Sequence, residues 1–337
     1  MKAYPGSNAA TELLPFEEPI GELLKELDRL RLLPNTEKNE GEIEKIQTLI
    51  EDTRRDLYKN LTSWDRVLVA RHPQRPSTLD YIEQLFTEFT ELHGDRRFGD
   101  DHAIVSGFAF LDGIPVLVVG HQKGRDIKQK VFRNFGYAQP EGYRKALRVM
   151  KVAEKFGRPI VVFIDTPAAY PGIGSEERGI SEAIANNLRE MALLTVPVIV
   201  IISGEGGSGG ALGIAVGDRI LMQEFAIYSV IPPEGCAAIL WRDVDHKMEA
   251  AEALKITASD LIAMKIVDEI ITEPCGGGHT DKRLAADLVA KPLKRALLEV
   301  SMDSSSIRVQ KRYDKFRQMG NSGFSIKTST LESKTID

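Results

Sequence analysis

VPVIVIISGEGGSGGALGIAV, residues 196–216, is the stretch whose reading decides the fold. Its first seven residues, Val196 to Ile202, form a short apolar run rich in β-branched side chains and read as a buried strand. Ser203 to Gly210 follows, with five glycines in the seven residues from Gly204 to Gly210. Ala211 to Val216 reads as the start of a helix. Glycine strips side chains from the place where the strand hands over. Backbone N–H groups then become the chemical surface, aimed by the helix N-terminus at something negative.

Three chemistries fit this loop. Gly204-Glu205-Gly206-Gly207-Ser208-Gly209 matches G-x-G-x-x-G, the dinucleotide fingerprint, with Glu224 at the ribose-binding distance but without an end-of-strand context. Gly206-Gly207-Ser208-Gly209-Gly210 matches G-x-S-x-G, the nucleophile elbow of hydrolases. Asp218 or Asp243 and His246 or His279 are available as its partners, although Ser208 serves equally well as the cap of the helix. In the third reading the N–H groups of Gly206 and Gly207 form an oxyanion hole for an enolate or thioester oxygen. A tight turn in which glycine only permits close packing accounts for the same residues without chemistry.

Working outward, the 337 residues are 42% hydrophobic and 28% charged, as expected of a globular protein with a large core. A net charge of −5 gives no general attraction to nucleic acid or anionic membranes, and no apolar run is long enough to span a bilayer. No basic and apolar leader opens the chain, so a cytoplasmic setting is expected. Cys236 and Cys275 lie far apart without a C-x-x-C pair, which argues for two buried thiols and against a zinc site in this chain.

Residues 18–60 read as a helical pair, with Leu23, Leu24, Leu27 and Leu30 on one stripe and Ile43, Ile46, Leu49, Ile50 and Leu57 on the other. The break between them is expected from Pro34 to Gly41. From about residue 80 strands and helices alternate. Strands at 103–110 and 114–120 flank the hairpin signal Asp112-Gly113. Helical patterns at 141–157 and 176–194 alternate with apolar runs at 160–164 and 196–202. Strand-like segments at 219–222 and 226–230 precede a helix started by Pro232-Pro233-Glu234-Gly235 and helical stretches near 247–255, 258–264 and 280–299. The chain is α/β, with a short helix near 306–318 and a polar end.

A second loop, Asp165-Thr166-Pro167-Ala168-Ala169-Tyr170-Pro171-Gly172, also follows a strand and precedes a helix. Together with "RNFGYAQPEGYRKALRVMKVAEKFGRPIVVFIDTPAAYPG", "ERGISEAIANNLREMA", "YSVIPPEGCAAILW", "NLTSWDRVLVARHPQRPSTLDYI", "HGDRRFGDDHAIVSGFA" and "GHQKGRDIK", the chain closely resembles the carboxyltransferase alpha subunit of multi-subunit, bacterial-type acetyl-CoA carboxylase, over about residues 18–300. The resemblance implies a crotonase fold, a ClpP/enoyl-CoA hydratase-like spiral of ββα units, with an N-terminal helical arm. It divides the chain into a tail (1–17), the arm (18–78), the carboxyltransferase domain (79–300) and a C-terminal polar tail (301–337).

The implied reaction moves a carboxyl group from carboxybiotin, held on a separate biotin carboxyl carrier protein, to acetyl-CoA, giving malonyl-CoA in the first committed step of fatty acid biosynthesis. The implied partners are a beta subunit bearing a four-cysteine zinc ribbon, in an α2β2 heterotetramer, and biotin carboxylase. Neither a membrane nor a nucleic acid is among them, and no metal is expected in this chain. In such proteins the glycine pair matched by Gly206 and Gly207 meets the biotin ureido oxygen, and the base comes from biotin. Ala168, Ala169, Tyr170, Pro171 and Gly172 then wall the biotin pocket, with Ala168 where the family usually has glycine. Lys123 and Arg125 open a run continued by Lys128, Lys130 and Arg133, which reads either as CoA-phosphate contacts or as a solvated face. A self-contained acyl-CoA hydratase or hydrolase of the same fold, working through Ser208, is the alternative.

Overall fold

Two apolar runs facing both ways at once organise the molecule. In the computed structural model, which describes residues 13–34 and 36–320, the segment Ile160–Thr166 is buried along its whole length. Ile160, Val162 and Ile164 point into one core, and Val161 and Phe163 into another. Val198, Val200 and Ile202 repeat the pattern against Ile199 and Ile201. A strand buried on both faces belongs inside a parallel sheet covered by helices on each side.

In chain order the elements are α1 (Glu18–Arg31), α2 (Glu37–Lys59), α3 (Ser63–Ala70), α4 (Thr78–Leu85), β1 (Thr87–Glu91), β2 (Ile104–Leu111), β3 (Ile114–His121), α5 (Ile127–Phe132), α6 (Pro140–Lys155), β4 (Ile160–Thr166), α7 (Ile173–Glu177), α8 (Ile180–Ala192), β5 (Val198–Gly207) and α9 (Ser208–Leu212). Then come β6 (Arg219–Gln223), β7 (Ile227–Ser229), α10 (Pro233–Leu240), α11 (Lys247–Leu254), α12 (Ala258–Ala263), β8 (Glu269–Ile271), α13 (Lys282–Ser301) and α14 (Ser305–Gln318). The sheet order is β1-β2-β3-β4-β5-β6-β8, with β7 paired to the far end of β5. β1, β2 and β3 are antiparallel neighbours and the pairings from β3 onward are parallel. The hairpin turns on Asp112 (φ 48°) and Gly113 (φ 78°), the left-handed pair that a two-residue turn demands.

The departures from expectation are local. The helix expected over 176–194 is two helices, because Gly179 adopts φ 77° between α7 and α8. The break after α1 is shorter than expected: Thr36 caps α2 by accepting the Asn39 N–H at 3.3 Å, so the helix starts before Gly41. Leu49, placed on the apolar stripe, is half exposed. Cys236 is buried but Cys275 is exposed, in the turn leading to Gly276 and Gly277 with φ of 90° and 86°.

The arm packs on the body through Tyr58, whose ring meets Phe16 and Phe225 edge-on and whose hydroxyl donates to the buried Glu17 at 3.0 Å. α14 docks through the fully buried Arg312, which forks onto Asp218 at 2.9 and 2.8 Å and donates to the carbonyls of Met191, Leu194 and Val196. Of the N-terminal tail expected over 1–17, residues 1–12 lie outside the described residues, as do residues 321–337 of the polar tail expected over 301–337. No helix among the described residues is long and apolar enough to cross a membrane.

Candidate active site at the glycine loop

The two loops singled out by sequence lie side by side at the carboxyl ends of β4 and β5. β5 continues through Gly207. Gly206 is in register with Thr166 on β4 and Tyr228 on β7, and Gly207 with Ser229. α9 begins at the next residue and makes little more than one turn, so the helix expected over 211–216 lies mainly upstream and ends at Leu212. Asn187 of α8 accounts for the stop: its Nδ2 donates to the Gly213 carbonyl at 3.0 Å and to the Tyr143 carbonyl at 2.9 Å.

Part of the glycine run is explained by packing. A methyl group on Gly204 would strike the Asp165 carboxylate, on Gly207 the Pro167 carbonyl, and on Gly210 the Ala168–Ala169 backbone. At intervals of three residues, glycine lets one loop press on the other, backbone-to-backbone at Gly207 and Gly210 and against a carboxylate at Gly204. Gly206 faces the opposite way, where a Cβ would come within 2.6 Å of Tyr228 Cδ2. The cleft beside Gly206 and Gly207 is walled by Pro167, Ile227, Ile231, Pro232, Pro233 and Arg71.

The second loop is tied down as firmly. Tyr170 N–H donates to the Ala138 carbonyl at 2.9 Å, and the Thr166 hydroxyl lies 2.7 Å from the Gly136 carbonyl. Ala168 has no positive φ, so its methyl sits in an ordinary L-residue conformation. Ala169 is half-buried, Tyr170 and Pro171 are exposed, and a side chain on Gly172 would meet the Tyr170 ring.

Ser208 is not the helix cap. Gly207 occupies that position, and Ser208 has already turned into the left-handed region with φ 51°. Its neighbours line a cavity of about 400 Å³ dominated by Leu212, Tyr228, Leu254, Leu261, Met264 and Ile266, with no histidine or carboxylate in the lining. The groups a hydrolase would need lie elsewhere. His246 is half-buried with Nδ1 3.3 Å from Glu249, and Asp243 accepts the Asp245 N–H. Asp218 holds Arg312, and His279 stacks on His72 with ring centroids 3.7 Å apart. Burial, helped by the charges around it, pushes the His279 pKa down to about 3, so its ring is neutral. Glu224, the candidate ribose ligand, accepts the Glu273 N–H at 3.3 Å instead.

Beneath the cleft lies a charge network that sequence reading did not find. Glu205, buried at the end of β5, accepts from Lys123 Nζ at 2.6 Å and Arg71 Nε at 2.7 Å. Lys123 also reaches Asp165 Oδ1 at 2.7 Å, which accepts the Glu205 N–H at 3.0 Å. Arg71 forks onto Glu234 at the start of α10. One layer deeper, Arg75 donates to the Ser203 carbonyl at 2.7 Å and forks onto Glu273 at 2.9 and 2.6 Å. The one signal in the sequence was Glu205 itself, a lone carboxylate closing an apolar strand, which needs a cation to be buried.

Burial opposes both charges, but Lys123 and Arg71 outweigh it and hold the Glu205 pKa below the ordinary value of 4.5. Asp165 and Glu205 likewise hold Lys123 above 10.5. The lowered carboxylate contributes stability above its unfolded pKa, lost as pH falls through the folded one. The raised ammonium contributes below its unfolded pKa, lost as pH rises through the folded one. The network is therefore intact between 4.5 and 10.5. The basic run does not form one face: Lys123 points inward, Arg125 pairs with Asp80, and Arg133 donates to the His102 carbonyl at 2.8 Å.

Residues 13–320 match the family model described as acetyl co-enzyme A carboxylase carboxyltransferase-like. A protein of Geobacter metallireducens named acetyl-coenzyme A carboxylase carboxyl transferase subunit alpha is 56% identical over 307 residues, covering 91% of this chain and 96% of that one. A protein of the same name from a Geobacillus species is 55% identical over 93% of this chain and 97% of its own. Among solved structures, a Pseudomonas malonate decarboxylase hetero-tetramer in complex with coenzyme A superposes with TM-score 0.56 at 17% identity, over 70% of this chain and 92% of that chain. A transcarboxylase 12S structure superposes with TM-score 0.53 at 21% identity over 66% of this chain; the match spans about two fifths (42%) of the transcarboxylase chain. These two share the fold, a crotonase-type α/β architecture with a mixed sheet. The chain belongs to the acetyl-coenzyme A carboxylase carboxyltransferase family, as an alpha subunit.

Proposed function

We propose that this chain supplies the biotin side of the carboxyltransferase site, with the N–H groups of Gly206 and Gly207 binding the ureido oxygen of carboxybiotin carried on a separate protein. The observation that carries this reading is the glycine pair at the open end of β5, beside a cleft walled by Pro167, Ile227, Ile231 and Pro232. The lining also includes Arg71, Glu205 and Ser229, and its free volume is about 10 Å³, so this chain supplies one wall of a ring-binding site that the partner subunit completes. Biotin, when bound, supplies the carboxyl group and the proton acceptor for transfer to acetyl-CoA. This chain's part is to hold the oxygen with two fixed donors, where loss of one typically costs about 2.7–4 kcal/mol in the barrier. Ala168 to Gly172 form the outer wall. Arg125, with Lys128 and Lys130, lies at the surface where CoA phosphates can reach, whereas Lys123 is committed to two carboxylates.

In this reading the acetyl-CoA thioester is held by a beta subunit that carries the zinc ribbon, in an α2β2 assembly served by biotin carboxyl carrier protein and biotin carboxylase. The isolated chain is expected to show no exchange of the carboxyl group between malonyl-CoA and biocytin, and the chain mixed with the beta subunit to show it. Full exchange by the isolated chain would remove the shared site. Ser208→Ala separates this reading from a self-contained hydrolase. It is expected to leave the complex's turnover within about threefold, whereas loss of a true nucleophile costs on the order of 10⁴-fold or more.

A further inference from the structure

We propose that Glu205 is a positioning residue for carboxyl transfer, clamped by Lys123 and Arg71 so that the Gly206–Gly207 backbone is held in register with the Pro167, Arg71 and Pro232–Pro233 walls of the cleft. The inference rests on the oxygen-binding role given above to that glycine pair. Glu205 directly precedes the pair, with its side chain 8% exposed. An unneutralised carboxylate there would repel the negative oxygen that the two N–H groups are placed to receive. Lys123 and Arg71 cancel that repulsion, and each cation is anchored to a further wall.

The anchors sit next to the cleft in sequence as well as in space. Lys123 holds Asp165, two residues before the wall residue Pro167. Arg71, itself in the cleft wall, holds Glu234, the residue after the wall prolines Pro232 and Pro233. Asp165 closes the circuit by accepting the Glu205 N–H. The ends of β4 and β5, the end of α3 and the start of α10 are thereby fixed to one carboxylate. A network serving stability alone has no reason to place every anchor within two residues of the same cleft.

The test uses the assembled complex of this chain with its beta subunit, with malonyl-CoA and biocytin as the probe substrates. Glu205→Gln and Lys123→Met are expected to lower kcat by about 10- to 100-fold, the scale of a misplaced reacting geometry, with the KM for malonyl-CoA little changed. Lys123→Arg, which keeps the charge, is expected to recover most of the lost kcat, and size-exclusion chromatography to show normal assembly. Wild-type kcat in both Glu205→Gln and Lys123→Met, while Gly207→Ala is inactive, overturns the clamp and leaves the glycine reading standing. Activity lost only in proportion to complex lost, with the rate per assembled complex unchanged, overturns it too. Full activity of Gly207→Ala overturns the glycine reading and the clamp with it. If Glu205→Gln fails to fold, the Lys123→Met and Lys123→Arg pair decides by the same criteria.

Discussion

Gly207→Ala is expected to abolish carboxyl transfer by the assembled complex, while Gly209→Ala, two residues away, leaves it within a factor of about two. Conformation is not the reason. Gly207 has φ −93° and ψ 114°, which any L-residue adopts. The obstacle is the Pro167 carbonyl, which occupies the space a Cβ would need, with the Thr166 carbonyl close behind. Both neighbours are backbone, so no rotamer change makes room. One loop must move away from the other, and the two loops are the N–H pair and the wall of the same cleft. A shift of about 1 Å is enough to cost on the order of 10²-fold or more. At Gly209 the nearest atom to an added methyl is Ile184 Cδ1 at 3.8 Å, an ordinary contact. Alanine in that helical turn also gains propensity over glycine. Parallel steady-state assays of the two variants, with melting curves to show that both fold, check the contrast. Equal activity in both would mean that the loops can separate without harm.

Arg75→Met is expected to destabilise the protein by about 3–5 kcal/mol, read from the shift in its urea denaturation curve. Arg75 is 3% exposed and Glu273 fully enclosed. Glu273 also accepts the N–H groups of Phe225 and Gly278, both at 2.8 Å. Removing the guanidinium leaves a carboxylate with no cation in a place water does not reach, and releases the Ser203 carbonyl at the point where β5 enters the glycine run. Methionine fills much of the volume, so the loss is electrostatic and not a cavity effect. A shift below about 1 kcal/mol would show that Glu273 finds another partner at little cost and that the pair is not needed for stability.

The fold was legible wherever a segment was long and periodic. β4 and β5 announced themselves as unbroken β-branched runs, the β2–β3 hairpin through Asp112-Gly113, and α6 and α13 through their apolar spacing. Among the short elements, β6, β7, α11 and α12 lie close to where they were expected, but others were not legible. β8 has three residues, and β1 is exposed or half-buried at every position, so neither carries enough pattern to stand out. α3 and α4 have eight residues each and hold their place through packing more than propensity. The site divided the same way. The glycine pair and the Ala168–Gly172 loop were visible as strings, whereas the clamp beneath them was not. Its contacts join residues 82 positions apart for Lys123 and Glu205, 134 for Arg71 and Glu205, and 163 for Arg71 and Glu234.

Residues 203–210 show where that division comes from. Local chemistry sufficed to place a strand, a run without side chains and a turn, because each depends on neighbours a few positions away. It also carried the family, through long strings in the right order. Which glycine serves which purpose was beyond its reach. Gly204, Gly207 and Gly210 are small because another loop presses on them, Gly206 because Tyr228 does, and Ser208 turns left-handed beside an apolar cavity instead of capping a helix. Those assignments, and the charges that hold Glu205, arise from close packing and Coulomb contacts between distant segments. Such contacts exist once the sheet has brought β4, β5 and β7 together and set α3 and α10 against their ends.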